Sequence, residues 1–120
     1  MYFQKDWLLR QIQITAQMMA KAVFNKSTPF YEMENREVQT AGDLLHEKLM
    51  RLLEEARVNE AEDLLFEELD QYGITCLRAA LDFYARLNEF DDETLTRNGF
   101  EREEIAQGLE DIKNMFGIIL

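Results

Sequence analysis

The spacing of hydrophobic residues predicts a helix from Asp6 to Phe24 with two apolar faces. On a wheel of 100° per residue, seven positions form one stripe about 120° wide: Leu8, Leu9, Ile12, Ala16, Met19, Ala20 and Val23. A second patch on the same segment holds Trp7, Ile14 and Met18. Because one stripe suffices to seat a helix on a core, the second patch predicts a second neighbour for this helix.

The same periodicity predicts an all-α fold of five or six antiparallel helices. Further helices are expected over about 41–56, 60–72, 74–88 and 102–116, with a single helical turn around Leu95. The 74–88 segment is apolar over the widest arc and is therefore the predicted central helix. No segment alternates with a period of two over a useful length, so no sheet is expected. A length of 120 residues predicts a single helical domain, 1–120.

Helix boundaries follow from capping signals. Asn59, followed three residues later by Glu62, has the spacing of a capping box for the 60–72 helix, and Gly73 is expected to end that helix. The Thr28–Pro29 pair also has the order of a helix start. The segment that it would begin, Phe30–Val38, is predicted either as a short helix or as a mobile connector.

Two resemblances support a helical fold. The stretch LMRLLEEARVNEAEDLLFEELDQYG, Leu49–Gly73, resembles the helix–turn–helix of tetratricopeptide-like repeats, in which a small residue, here Ala61, lets the two helices approach closely. Leu49 stands where that family usually has Gly or Ala, and Gly73 where it usually has Pro. No second copy follows 34 residues later, so the resemblance implies one hairpin within a small bundle.

The whole chain also resembles a family of short, uncharacterised helical proteins from Gram-positive bacteria. The segments that carry this resemblance are KDWLLRQIQ, NEAEDLLFEELD, ALDFYARLNEFDDETL and GFEREEIAQGLEDI. It implies an all-helical fold, and it implies no activity, cofactor or catalytic residue.

Charge divides the chain into a basic start and an acidic remainder. The net charge is −11. Residues 1–30 carry four bases and one acid, whereas residues 31–120 carry 23 acids and nine bases. An acidic body repels phosphate backbones, so nucleic acid is excluded as a partner class. No apolar run is long enough for a membrane span, and charged residues interrupt any signal-peptide layout, so a cytoplasmic protein is expected.

Candidate chemistry is sparse. The single cysteine, Cys76, is predicted to be a buried structural residue, and the single histidine, His46, to be exposed or half-exposed on the flank of its helix. The acidic groups 91–93 and 101–104 lack the ligand spacing of a calcium loop, and their places at helix starts indicate capping. The acidic residues from Glu60 to Glu68 are interpreted as a solvated face. We therefore predict no catalytic residue, no cofactor and no metal site.

These observations favour a non-enzymatic protein–protein interaction module that self-associates through the first helix, with Trp7, Ile14 and Met18 as its candidate surface. Two alternatives stay open. One is a peripheral membrane-surface protein that uses the same helix, because this segment is the only basic one and carries a Trp. The other is a small-ligand-binding or enzymatic helical bundle. Its groove between helices would take a peptide helix or a small apolar ligand, with Phe83, Tyr84 and Phe90 as candidate lining, against which simple core filling is the plainer interpretation.

Overall fold

A computed structural model describes residues 2–33 and 37–120, with side chains from residue 6 onward. The described residues contain no strand, which confirms the all-α prediction. The elements are α1 (Tyr2–Phe24), α2 (Ala41–Glu54), α3 (Val58–Tyr72), a 3-10 turn (Gly73–Cys76), α4 (Leu77–Asn88), α5 (Asp92–Arg97) and α6 (Arg102–Phe116).

Helix α4 is the centre of the fold, as its wide apolar arc predicts. Ten of its twelve residues are buried, and α1, α2 and α6 all pack against it. Contacts at both ends show that α1 runs antiparallel to α4. The Asn88 side-chain amide donates to the Leu9 carbonyl at 2.9 Å, and at the other end the Arg78 guanidinium lies over the Phe24 ring at 5.8 Å from its centroid.

The core face of α1 is the predicted stripe. Ile12, Ala16, Met19 and Ala20 are fully buried, and Leu8 and Val23 are partly buried beside them. The helix begins at Tyr2, four residues before the predicted start. Its burial pattern confirms that a spacing of three and four residues marks the side of a helix that meets a core.

Two glycines allow close packing of helices. A Cβ atom on Gly108 in α6 would lie 2.3 Å from ring atoms of Tyr84 in α4, and one on Gly42 in α2 would lie 2.5 Å from the Thr75 carbonyl oxygen. Both distances are far inside van der Waals contact. The ring of Tyr84 therefore occupies the space that a side chain at position 108 would need.

The α2–α3 hairpin forms, but its caps differ from the prediction. Helix α2 begins after Thr40, whose hydroxyl accepts from the Asp43 N–H at 3.1 Å. Helix α3 begins at Val58, and Asn59 therefore lies inside its first turn instead of capping it. The prediction of Asn59 as the cap is wrong because Val58 is buried in the core, and this burial extends the helix towards the turn.

The helix start predicted at Thr28–Pro29 is also wrong. The described residues 25–33 and 37–40 form no helix, while residues 34–36, part of the open prediction for Phe30–Val38, lie outside the described residues. The Thr28 hydroxyl accepts from the Phe30 N–H at 3.3 Å, which makes a local turn. The Tyr31 N–H is directed at a carboxylate of α4, so a tertiary contact replaces the helical hydrogen bond.

The C-terminal third of the chain follows the prediction closely. Asp91 caps α5 by accepting from the Thr94 N–H at 2.7 Å. Glu104 in the first turn of α6 accepts from the Glu101 N–H at 2.7 Å. The one difference is that the predicted 74–88 helix begins with a 3-10 turn, and α4 proper starts at Leu77.

Candidate functional site

The three residues predicted as an interaction surface lie exposed on one face of α1. Trp7, Ile14 and Met18 are 63%, 46% and 45% exposed, and at 100° per residue they fall within an arc of about 40°. This arc lies on the side of the helix away from Ile12, Ala16 and Met19. We refer to Trp7, Ile14 and Met18 as the α1 stripe; its role in an interaction stays a prediction.

Polar and basic residues border the α1 stripe. Gln11 lies between Trp7 and Ile14 on the same face, and Arg10 and Lys21 lie along one edge; all three are exposed. Asp6 is the only acid of the whole segment before residue 32. The exposed side of α1 thus combines an apolar strip with positive charge, on a molecule that is otherwise acidic.

Other large apolar side chains are also exposed. Among the described residues they are Met33, Val38, Leu44, Tyr72, Ile74, Met115, Ile119 and Leu120. Scattered exposed apolar residues are normal for a soluble protein. The α1 stripe differs from these because its members follow one another at helical spacing along a single 23-residue helix.

A buried aspartate, which the sequence analysis did not single out, organises a polar cluster between α2, α4 and the connector that follows α1. The Asp82 side chain is fully buried. It accepts from Arg86 Nε at 2.8 and 3.0 Å and from the Tyr31 N–H at 2.8 Å, and it pairs with His46 Nε2 at 2.9 Å. The sequence does hold a signal for this cluster, because Asp82 is a lone acid inside the apolar arc of a central helix, and such an acid must find partners.

Tyr31 completes the cluster by linking the connector to α2. Its hydroxyl donates to the Asp43 carboxylate, and its ring stacks on His46 with centroids 4.5 Å apart and planes at 20°. Arg78 of α4 lies over the same ring at 5.4 Å. The connector is thus held by a backbone hydrogen bond, a ring stack and a side-chain hydrogen bond, which explains why it needs no helix of its own.

The hydrogen bonds of the cluster set its protonation states. Burial would raise the pKa of Asp82, but the bonds from His46, the Tyr31 N–H and Arg86 outweigh it, and the pKa lies below the ordinary range. The Thr40 N–H and the Tyr31 hydroxyl likewise lower the pKa of Asp43. Burial, together with the bond to Asp43, raises the pKa of Tyr31 to about 12. Both aspartates are therefore carboxylates at neutral pH.

The geometry of the cluster holds His46 in place, and Cys76 lies buried in the core. His46 is half-buried, as predicted, but its Nε2 is taken up by Asp82, a partner that the sequence analysis missed. Cys76 is buried and free, which confirms the prediction, and burial raises the pKa of its thiol. Cys76 therefore presents no activated nucleophile to solvent.

One acid of the predicted solvated face is only partly exposed. Glu62 of α3 is half-buried and accepts a hydrogen bond of 2.6 Å from the hydroxyl of Tyr84, which is fully buried in α4. Burial raises the pKa of Glu62, and the nearby carboxylates of Glu104, Asp63 and Asp111 raise it further. The interpretation of Glu62 as a solvated surface residue is therefore wrong, because the Tyr84 hydroxyl must find an acceptor at the edge of the core.

We expect Glu62→Gln to stabilise the protein at pH 7. The amide oxygen can still accept from Tyr84, while the repulsion by three neighbouring carboxylates is removed. Since the folded pKa of Glu62 is raised, the carboxylate costs stability above that pKa, and the cost disappears as the pH falls through it. Solvent screening limits the gain to about 0.5 kcal/mol. Thermal melts at pH 7 and pH 4 measure it, with the exposed Glu67→Gln as the control; an equal gain at both pH values would contradict the assignment.

The other acidic groups serve the fold. Asp91 and Glu104 hold helix starts, and Asp92 pairs with the buried Arg102, whose guanidinium also donates to the carbonyls of Asn88 and Phe90. Within the described residues, no group of three or more His, Cys, Asp or Glu side chains is arranged to hold a metal ion. These acids therefore act in capping and in ion pairs, of which Asp92–Arg102 joins α5 to α6.

Of the residues proposed to line a groove between helices, only Phe90 borders a cleft, beside Met50 and Leu53 of α2. Phe83 and Tyr84 are fully buried in the core, which confirms core filling for both, and Phe90 is half-buried against it. A second cleft of about 320 Å³ lies between α1, the connector and α4. Its lining mixes polar residues such as Gln13 and Asn88 with apolar ones such as Ala16 and Phe30.

Comparison with known proteins places the chain in a family. The profile of a family of unknown function, DUF6483, matches residues 2–117, from α1 to the end of α6. The chain belongs to DUF6483. Neither the curated proteins nor the solved structures yielded a match to this member of DUF6483. Among the described residues, none of its helices is both long and apolar enough to cross a membrane.

Proposed function

We propose that this DUF6483 protein is a non-enzymatic interaction module that self-associates through the α1 stripe. The observation that carries the proposal is that Trp7, Ile14 and Met18 are exposed together on the outer face of the longest helix while its opposite face seats it on the core. Burying such a strip removes apolar surface from water, which stabilises the contact by about 25 cal/mol per Å² of buried apolar area. A second copy offers the same strip.

Charge favours α1 over the rest of the surface as the place where two copies meet. The chain carries −11 overall, and residues 31–120 carry −14, so most pairs of surfaces on two copies repel each other. Residues 1–30 carry +3. The exposed face of α1 is therefore the region where two copies meet with the least repulsion between acids.

Particular residues support three further parts of the proposal: the type of hairpin, the location and the non-enzymatic role. The α2–α3 hairpin is proposed to be tetratricopeptide-like, supported by the complete burial of Ala61 between the buried Val58 and Leu65. A cytoplasmic location is supported by the free thiol of Cys76, which a reducing compartment maintains. A non-enzymatic role is supported by the burial of the single thiol, Cys76, away from solvent.

Sedimentation velocity over a concentration series tests self-association. We expect a monomer–dimer equilibrium with a dissociation constant in the range of about 1–100 μM, because a single helix face is at the small end of specific interfaces. Trp7→Glu should raise that constant at least about tenfold, since aromatic residues dominate interface energies. Leu44→Glu, at a comparably exposed apolar residue of α2, is the matched control and should leave it unchanged. A wild-type chain that stays monomeric throughout would refute the proposal.

The membrane-surface alternative uses the same residues. Arg10 and Lys21 beside Trp7 are the features that favour it, because bases next to an interfacial Trp suit an anionic lipid surface. The acidic remainder opposes it by repelling such a surface. Co-sedimentation with vesicles containing about one-third phosphatidylserine discriminates the two; binding that Trp7→Glu abolishes, together with a monomeric chain in solution, would favour the membrane.

A further inference from the structure

Five exposed positions of α1 have the spacing of a coiled-coil seam. Trp7, Gln11, Ile14, Met18 and Lys21 follow one another at intervals of four, three, four and three residues. This alternation keeps the positions on one side of a helix along its length. The helix runs without interruption from Tyr2 to Phe24, about 35 Å at 1.5 Å per residue, so the whole seam lies on one continuous helix.

From this seam we infer that two copies pair their α1 helices antiparallel, with Trp7 of each copy against Met18 of the other and Ile14 against Gln11. This inference rests on the proposed function and specifies the partner contacts of the α1 stripe. The twofold axis then passes between Gln11 and Ile14. It is an isologous arrangement, so every contact occurs twice and the pair is closed.

The position of Lys21 argues against the parallel alternative. In a parallel pair, equal positions face each other, and the two Lys21 ammonium groups would occupy one layer of the seam. Like charges in a partly desolvated layer repel. The antiparallel pair separates the two lysines to opposite ends of the interface, beyond Trp7 of the other copy, where they remain in solvent.

The antiparallel pairing also matches the chemistry of the apolar residues. It places the Met18 thioether at the Trp7 ring, a favourable sulfur–aromatic contact that occurs twice in the dimer. The antiparallel helix dipoles also attract each other weakly.

A spin label at Ala22 tests the direction of the helices. Ala22 is exposed and lies beside the seam, and the native thiol of Cys76 is fully buried, so Ala22→Cys offers the accessible labelling site. Double electron–electron resonance on the labelled full chain should give about 30 Å between labels in the antiparallel dimer, from the rise per residue and a helix separation of about 10 Å. A parallel dimer brings the labels to about 10–15 Å.

The outcomes separate the inference from the proposed function. A distance near 30 Å that Trp7→Glu abolishes and Leu44→Glu preserves supports both. A short distance in a dimer that remains sensitive to Trp7→Glu overturns the antiparallel pairing and leaves self-association standing. Absence of dipolar coupling, with a monomer in sedimentation of the same sample, overturns both.

Discussion

Replacing Gly108 with alanine is expected to destabilise the protein by about 2–3 kcal/mol, although alanine is the better helix former. The new methyl group would lie 2.3 Å from the ring and hydroxyl of Tyr84. That ring is fully buried and its hydroxyl is held by Glu62, so it has little freedom to move aside. Denaturant unfolding followed by circular dichroism measures the change in the free energy of unfolding.

The sign of the stability change in Gly108→Ala shows whether the contact with Tyr84 or the helix propensity of alanine dominates. Helix propensity alone predicts a gain of about 1 kcal/mol for Gly→Ala in the interior of a helix. In a Tyr84→Ala background, where the ring is absent, the Gly108→Ala change should lose its cost and become neutral or stabilising, so the double-mutant cycle isolates the contact. A cost that persists without the Tyr84 ring would contradict the assignment.

Replacing Asp82 with asparagine is expected to cost about 2–3 kcal/mol at pH 7. The amide oxygen can still accept from the Tyr31 N–H, but the negative charge that pairs with Arg86 and His46 is lost. Breaking a fully buried pair would cost more, but both partners here are partly exposed and can turn to water. Chemical denaturation at several pH values measures the cost.

The stability that Asp82→Asn costs should decrease as the pH falls. Because the folded pKa of Asp82 is below its unfolded value, its contribution is fully present above about pH 4 and is lost as the pH falls through the folded pKa. The wild-type advantage over Asp82→Asn should therefore shrink in acid. Glu89→Gln, at an exposed carboxylate just past the same helix, is the control and should change stability by less than about 0.5 kcal/mol. A cost independent of pH would contradict the ionic role of Asp82.

The core could be predicted from the sequence almost completely. The buried positions of α1 and the capping contacts of Asp91 and Glu104 each follow from short-range patterns. The residues of such a pattern lie within one or two helical turns of each other, so a single chain segment contains every residue that the prediction needs. The exposure of the α1 stripe follows from the same periodicity, because a residue opposite a buried stripe faces away from it.

The polar interior could not be predicted in this way. The contact between Tyr31 and Asp82 joins residues 51 positions apart, and that between Glu62 and Tyr84 joins residues 22 positions apart. A local pattern shows that an acid lies on a helix face, but not which group lies opposite it. The incorrect helix start at Thr28–Pro29 has the same cause, since its capping order is correct and the distant carboxylate of Asp82 takes the Tyr31 N–H.

The sequence by itself determined that this chain is helical, where most of its helices begin and end, and that α1 has two apolar faces, because helical periodicity and capping are local properties of the chain. Only the tertiary structure decided the path of the connector after α1, the burial of Asp82 and Glu62, and the close contact of Gly108 with Tyr84. These features depend on which distant groups meet when the helices pack, and on the need of every buried polar group to find a partner there.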